Sequence, residues 1–438
     1  MRCAPIRRTF LVSLPKNIIY QIMEKNFVHV NTQEKSSLDI ECLEELTFNR
    51  AYVYYGRPLP EDVEDRLRFE LEVINKKGIA RYFLIIQDLI NTMRNDHDVM
   101  IGPGCGAEAG SLVAYCLGIT KIDPLKHDLL FERFVRIDKD ILPFFMIDFG
   151  KKGIKRVKEW LKEHNFICKT NHDFPNHHWY VESIRMYFGE LRVLTELKLA
   201  LLNIKKNRGI ELNLDNIPID DPKTLKLFQS GHTRGVFLFE KHHMRAWLKY
   251  LHPTCFNDLI ALYALSFPGL QDYIPLFNAR KNGQDEIKYD IPCMEKYLEE
   301  TYGMVVYQEQ IMLLSRQLAD FNREESQILR NAMGKRKNNI IDYLKPKFIE
   351  GGKKNDHDPR ILEKIWSDWE RIGLFTISKS HAVCYTLLAY QTAFLKANYP
   401  YEYMTALLES RKNNEIEYDL ISEECMRMKL YRVFKDYS

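Results

Sequence analysis

The second half of the chain sets the strongest constraint on the fold. From residue 286 onward helical spacing dominates: "MEKYLEETYG", "YQEQIMLLSRQLADF", "REESQILRNAMG", "PRILEKIWSDWERIG" and "SHAVCYTLLAYQTAFLKANYP". Apolar residues recurring at this period must bury helix stripes against one another. The first half adds two more helices. "PEDVEDRLRFELEVINKKG" places Val63, Leu67, Leu71 and Ile74 on one stripe, with Gly78 as a stop. "ARYFLIIQDLINTMRN" follows as a strongly apolar helix. "VMIGPGCGAEAGSLVAYCLG" then predicts strand, glycine-rich turn and helix. Residues 141–149 predict a strand and 151–165 a basic helix. Residues 166–180, "FICKTNHDFPNHHWY", show no period and read as a loop, and 181–208 read as helix. In "PIDDPKTLKLF", Asp220 or Asp221 caps a helix that opens with Pro222. The expected class is α+β and mostly helical.

A length of 438 residues allows about two or three domains. At 45% hydrophobic and 12% aromatic, the composition excludes global disorder. The net charge of +3 does not by itself point to nucleic acid, so any basic surface must come from local clustering. The nine cysteines form no CxxC pair and no zinc spacing, which predicts reduced thiols in a cytoplasmic protein. Residues 1–45 give no clean period and predict a ragged lead-in rather than a signal peptide. No apolar run reaches ~18 residues, so no membrane association is expected.

Three elements carry possible chemistry. In "GPGCGAEAGS", Gly104 and Gly106 allow close backbone approach to an anion, and the next helix would aim its first amides there. The spacing is neither a Walker loop nor a dinucleotide fingerprint, so phosphate contact and a plain turn both stay open. Asp148 ends an apolar strand, and its same-face neighbour is Met146. A thioether is a poor ligand for hard Mg²⁺, and the local reading is a strand-end aspartate. The basic clusters "KKGIKRVK", "MGKRKNN", "KPKF" and "GGKKN" could hold phosphates, or be solvated faces. "SKSHAVCY" puts Lys379 and His381 at a helix start, a fair place for an anion.

Individually weak, these elements stand in a telling order. The blocks "GSLVAYCLGITKIDPLKHDLLFERFV", "TRGVFLFE", "TYGMVVYQEQIMLLSRQLADF", "LRNAMGKRK" and "SKSHAVCYTLLAYQTAFLKANYPYEYM" closely resemble the bacterial DNA polymerase III alpha-subunit family, the C-family replicative polymerases. The likeness runs in one order from about Glu45 to Met426. It implies a palm of the polymerase-β-like nucleotidyltransferase type, with helical thumb and fingers. It partitions the chain into a lead-in (1–45), a palm and thumb-like region (46–285), helical fingers (286–410) and a C-terminal tail (411–438). It implies template-directed DNA synthesis with Mg²⁺, primer–template DNA and deoxynucleoside triphosphates as ligands, and other replisome subunits as possible partners. Asp148 and Asp272 match the family's catalytic, metal-binding carboxylates. Gly104, Gly106, Ser111, Lys335, Lys379, Ser380 and His381 fall at its nucleotide-binding positions.

The departures matter as much. The family's P-D-x-D-x-D-F motif reads Pro143-Phe144-Phe145-Met146-Ile147-Asp148-Phe149, so the partner carboxylate is Met146. Its G-R-G-S turn reads Gly104-Cys105-Gly106-Ala107, and Glu108 adds a negative charge that should repel a triphosphate. Residues 166–190 stand in for a much longer palm segment. Counterparts of the family's N-terminal phosphoesterase-like domain, and of the region from its tandem helix-hairpin-helix onward, are also expected to be missing. Losing one metal-bridging carboxylate costs roughly a thousandfold in rate or more. Catalysis is therefore expected to be impaired. The alternatives are a nucleic-acid-binding pseudo-polymerase and a structural remnant, separated by cooperative unfolding.

Overall fold

The computed structural model describes residues 37–137, 141–172, 178–431 and 433. Most of the expected lead-in, residues 1–36, lies outside the described residues. So do 432 and 434–438 of the C-terminal tail and 173–177 of the expected loop.

Where apolar spacing is regular, helices form as it dictates. Glu61–Lys76 buries Val63, Leu67, Leu71 and Ile74 and carries Glu61, Asp62 and Glu64 in its first turn, where carboxylates complement the helix dipole. Gly78 follows at φ +65°, a left-handed turn that glycine adopts without strain. Lys151–Glu163 buries Ile154, Val157, Trp160 and Leu161 and turns its lysines outward. Asp221 caps Pro222–Ser230 by accepting the Thr224 amide at 2.9 Å.

One four-stranded sheet joins these helices. β1 is Phe145–Phe149, β2 Cys168–Thr170, β3 Trp179–Val181 and β4 Met186–Glu190, in the order β1-β4-β3-β2. β1 and β4 run parallel, with Asp148 opposite Gly189, and the other pairs are antiparallel. The expected loop at 166–180 thus contains two strands. The expected helix over 181–208 starts only at Arg192, after β4. Strands of three and five residues are too short for their alternation to stand out. At its free edge β1 meets the segment before the glycine turn, through an Ile101–Phe149 bridge and a 2.9 Å bond from Gly102 N–H to Asp148 C=O.

Phe145, Ile147 and Phe149 share one sheet face with Met186 and Phe188 and pack into the N-terminal core. Packed aromatics tie β3 and β4 to this core: Phe188 lies 5.5 Å from Trp179 and 6.4 Å from Phe149, ring centre to ring centre. A second, larger core surrounds the central helix Lys379–Asn398, 16 of whose 20 residues are buried. A third gathers Phe348, Trp366 and Trp369 between the helices of 295–372. Among the described residues, no helix is long and apolar enough to cross a membrane.

Candidate nucleotide and DNA site

The glycine-rich turn lies between β1 and the central helix. Gly104 has φ +119°, and a Cβ there would stand 3.3 Å from Cys384 Sγ, so only glycine fits without strain. The amides of Cys105 and Gly106 do converge on an anion. It is the carboxylate of Glu108, whose Oε1 accepts both at 2.8 Å. Glu108 is 1% exposed, and its other oxygen, Oε2, lies buried with no hydrogen-bond partner. Burial raises its pKa, and the amide bonds oppose that shift. A Cβ on Gly106 would come 3.0 Å from Oε2 and 3.3 Å from Met146 Sδ, so this carboxylate lies at the Met146 end of the strand.

The helix that follows the turn, Leu112–Cys116, spends its first amides in the same way. Glu70 accepts Leu112 N–H at 2.9 Å, Val113 N–H at 3.1 Å and the Ser111 hydroxyl at 2.7 Å. Ser111 is buried and caps the helix by accepting from Ala114 N–H. A third carboxylate sits at the start of the central helix. Glu309 accepts Lys379 N–H at 2.8 Å and the Ser378 hydroxyl at 3.1 Å, with Ser380 at 3.4 Å and Arg133 ion-paired at 3.2 Å. Each N-terminal amide cluster that sequence reasoning offered to a phosphate is thus held by a glutamate of this chain.

Asp148 is 2% exposed. Tyr385, on the central helix, donates to its Oδ2 at 3.3 Å, and Cys105 Sγ lies 3.2 Å from the same hydroxyl. Burial, with nearby Glu108 adding to it, pushes the Asp148 carboxyl up to about 7, against the Tyr385 hydrogen bond. His381 donates from Nδ1 to the Cys105 carbonyl at 2.9 Å and accepts at Nε2 from Tyr263 at 3.2 Å. It positions the turn, and burial lowers its pKa.

The remaining expected site residues are spread out. Lys379 is buried, and its Nζ donates to Glu300 at 2.5 Å. Lys335 is exposed beside Arg336 and Lys337, on the turn that ends Arg323–Gly334. Asp272 lies exposed on the short turn Gln271–Tyr273. These residues do not fit a divalent pair. Met146 offers a soft thioether, Asp148 is enclosed in the Tyr385–Cys105 network, and among the described residues no three His, Cys, Asp or Glu side chains are placed to hold a metal.

Sequence reasoning missed Glu70, Glu309, Tyr263 and Tyr385. Glu70 and Tyr385 act across 42 and 237 residues of chain, which no local spacing reveals. Glu108 was visible, but its carboxylate satisfies the turn instead of only repelling a visitor.

Two family models match, by their descriptions the bacterial DNA polymerase III alpha NTPase domain over residues 41–165 and the alpha subunit finger domain over 193–356. The relatives agree. The chain is 29% identical to DNA polymerase III subunit alpha of Aquifex aeolicus, over 87% of this chain and 45% of that protein. It is 31% identical to that of Thermus aquaticus, over 81% and 38%, and 32% to that of Chlamydia trachomatis, over 79% and 37%. The chain belongs to the bacterial DNA polymerase III alpha family. It spans less than half the length of these family members. Residues 166–192, which include β2, β3 and β4, fall between the two matched stretches.

Proposed function

We propose that this chain is a DNA-binding member of the polymerase III alpha family in which metal-dependent nucleotidyl transfer is impaired. The observation that carries the reading is the Glu108 carboxylate on the amides of the glycine turn. A triphosphate would have to displace a buried anion that is already hydrogen-bonded, and Glu108 adds repulsion if it stays close. Asp148, next to it, has no second strand carboxylate on its face, because position 146 is methionine. In this reading the family's polymerase-β-like palm corresponds to the β1–β4 sheet, and the helical thumb and fingers to what surrounds it. Mg²⁺ is not held as a pair at Asp148, and Asp272 alone on its turn does not replace the lost ligand. What remains is phosphate attraction, from the exposed Lys335-Arg336-Lys337 turn and the outward lysines of Lys151–Glu163.

The packing of β2–β4 speaks for a maintained fold and against a remnant with a broken core. Primer extension tests the proposal. Wild-type chain, free of other polymerases, should add no deoxynucleotide to a primer–template with Mg²⁺ or Mn²⁺. Met146→Asp should not rescue it while Glu108 occupies the turn. Template-directed extension by the wild type would overturn the reading.

A further inference from the structure

The helix Lys151–Glu163 breaks two local rules at once. Lys151 and Lys152 fill its first turn with no acidic residue beside them, where the helix dipole favours anions. Lys151, Lys155, Lys158 and Lys162 then recur every three or four residues, so like charges stand as neighbours on one stripe. All four are exposed. Both arrangements destabilise the free helix, and an anion laid along the stripe offsets both. The stripe lines a shallow groove of about 560 Å³, which it shares with two carboxylates, Glu159 and Glu190. Glu159 is held by Arg156 at 3.0 Å and lies 3.8 Å from Lys155. Among the described residues, Lys151 and Lys162 have no ion-pair partner. Lys158 Nζ sits 4.0 Å over the Trp179 ring, which also stacks on Phe188. Beneath the stripe, Ile154, Val157, Trp160 and Leu161 join the core that takes Phe145, Ile147 and Phe149. The groove therefore lies on the opposite side of the sheet from Met146 and the glycine turn.

We propose that this lysine groove holds the phosphate backbone of duplex DNA, whatever its sequence, on the side of the sheet away from the family's nucleotide position. Lys151 to Lys162 spans about 16 Å of helix axis. Duplex DNA carries one charge per ~1.7 Å, so about ten phosphates fall within that reach, more than a single strand offers. Lysine meets phosphate as a point charge, and the groove lining has no Arg, Asn or Gln to read base edges. It has no aromatic ring to stack an unpaired base either. A membrane surface suits the helix less well, because its apolar residues point into the core and leave nothing to insert. The proposal rests on the DNA-binding reading above and adds which form of DNA this helix takes, and on which side of the sheet.

The test is fluorescence anisotropy with the full chain, across a salt series, on labelled duplexes of about twenty base pairs in two unrelated sequences. A single strand of the same length and phosphatidylserine vesicles run beside them. The two duplexes should bind alike, and more tightly than the single strand. The combined variant Lys151→Gln, Lys155→Gln and Lys162→Gln should bind both duplexes more weakly and lower the slope of log affinity against log salt by about three. Arginine at the same three positions should keep the slope. The glutamine variant should unfold in urea no earlier than the wild type, which separates lost charge from lost fold. A slope unchanged in the glutamine variant would overturn the groove and leave DNA binding to the Lys335-Arg336-Lys337 turn. A wild type that binds no duplex would overturn both the groove and the reading it rests on. A single strand bound as tightly as the duplex, or a glutamine variant that loses only vesicle binding, would overturn the assignment to duplex DNA.

Discussion

Asp148→Asn should stabilise this protein at alkaline pH, which is the reverse of what a Mg²⁺-clamping aspartate would do. The carboxyl is enclosed, and its pKa stands at about 7 instead of an ordinary 3.8. The folded state therefore holds a proton that the unfolded state has released, and between those two values stability falls as pH rises. At about 1.4 kcal/mol per pH unit, the full penalty is roughly 4 kcal/mol above pH 7, and about 2–3 kcal/mol of it develops between pH 5 and 8. Asparagine keeps an oxygen for the Tyr385 hydroxyl and carries no charge to bury. The assay is urea unfolding of wild type and Asp148→Asn at pH 5 and pH 8, with and without Mg²⁺. Comparing the two proteins cancels the other titrating groups, including His127, which burial pushes down to about 4. The expected result is a variant advantage that grows by about 2–3 kcal/mol from pH 5 to pH 8 and is indifferent to Mg²⁺. A gap that stays constant with pH, or a wild type stabilised by Mg²⁺ through Asp148, would refute the argument.

Three further outcomes follow from the same geometry. Glu108→Ala should cost about 2 kcal/mol or more in unfolding free energy, because it strips two buried amides of their acceptor. It should also raise the affinity for inorganic tripolyphosphate in calorimetry above that of the wild type. Lys335→Glu combined with Lys337→Glu should reduce the slope of log affinity against log salt for primer–template DNA by about two, read by anisotropy across a salt series. Lys379→Met should act on stability, losing about 3 kcal/mol by leaving Glu300 partly buried without its cation. Its effect on the salt slope should be absent.

What could be read from the chain was what regular spacing controls. The Val63-Leu67-Leu71-Ile74 stripe, the basic helix after β1 and the Asp221 cap all stand where periodicity and local hydrogen-bonding chemistry put them. β2–β4 were not legible, because Cys168-Lys169-Thr170 and Trp179-Tyr180-Val181 are three-residue strands, one of them largely exposed. Their pairing is decided by tertiary contact with β1. At the site, the substitutions Met146 and Glu108 could be seen directly. The role of Glu108 depended on where its carboxylate points. Lys379 read as a phosphate contact because lysine at a helix start is ambiguous until its depth is known, and it lies buried against Glu300.

The parallel pairing of β1 with β4 has a consequence for synthesis of the chain. Phe145 finds Met186 only 41 residues later, across a helix and a hairpin. At about 5–20 residues per second, the nascent polypeptide waits roughly two to eight seconds with Phe145, Ile147 and Phe149 lacking a neighbour on that edge. Contacts so distant along the chain form slowly, and an uncovered strand invites intermolecular pairing meanwhile. Released chains that end between 150 and 185 should therefore aggregate, while chains that extend past Glu190 supply the missing edge.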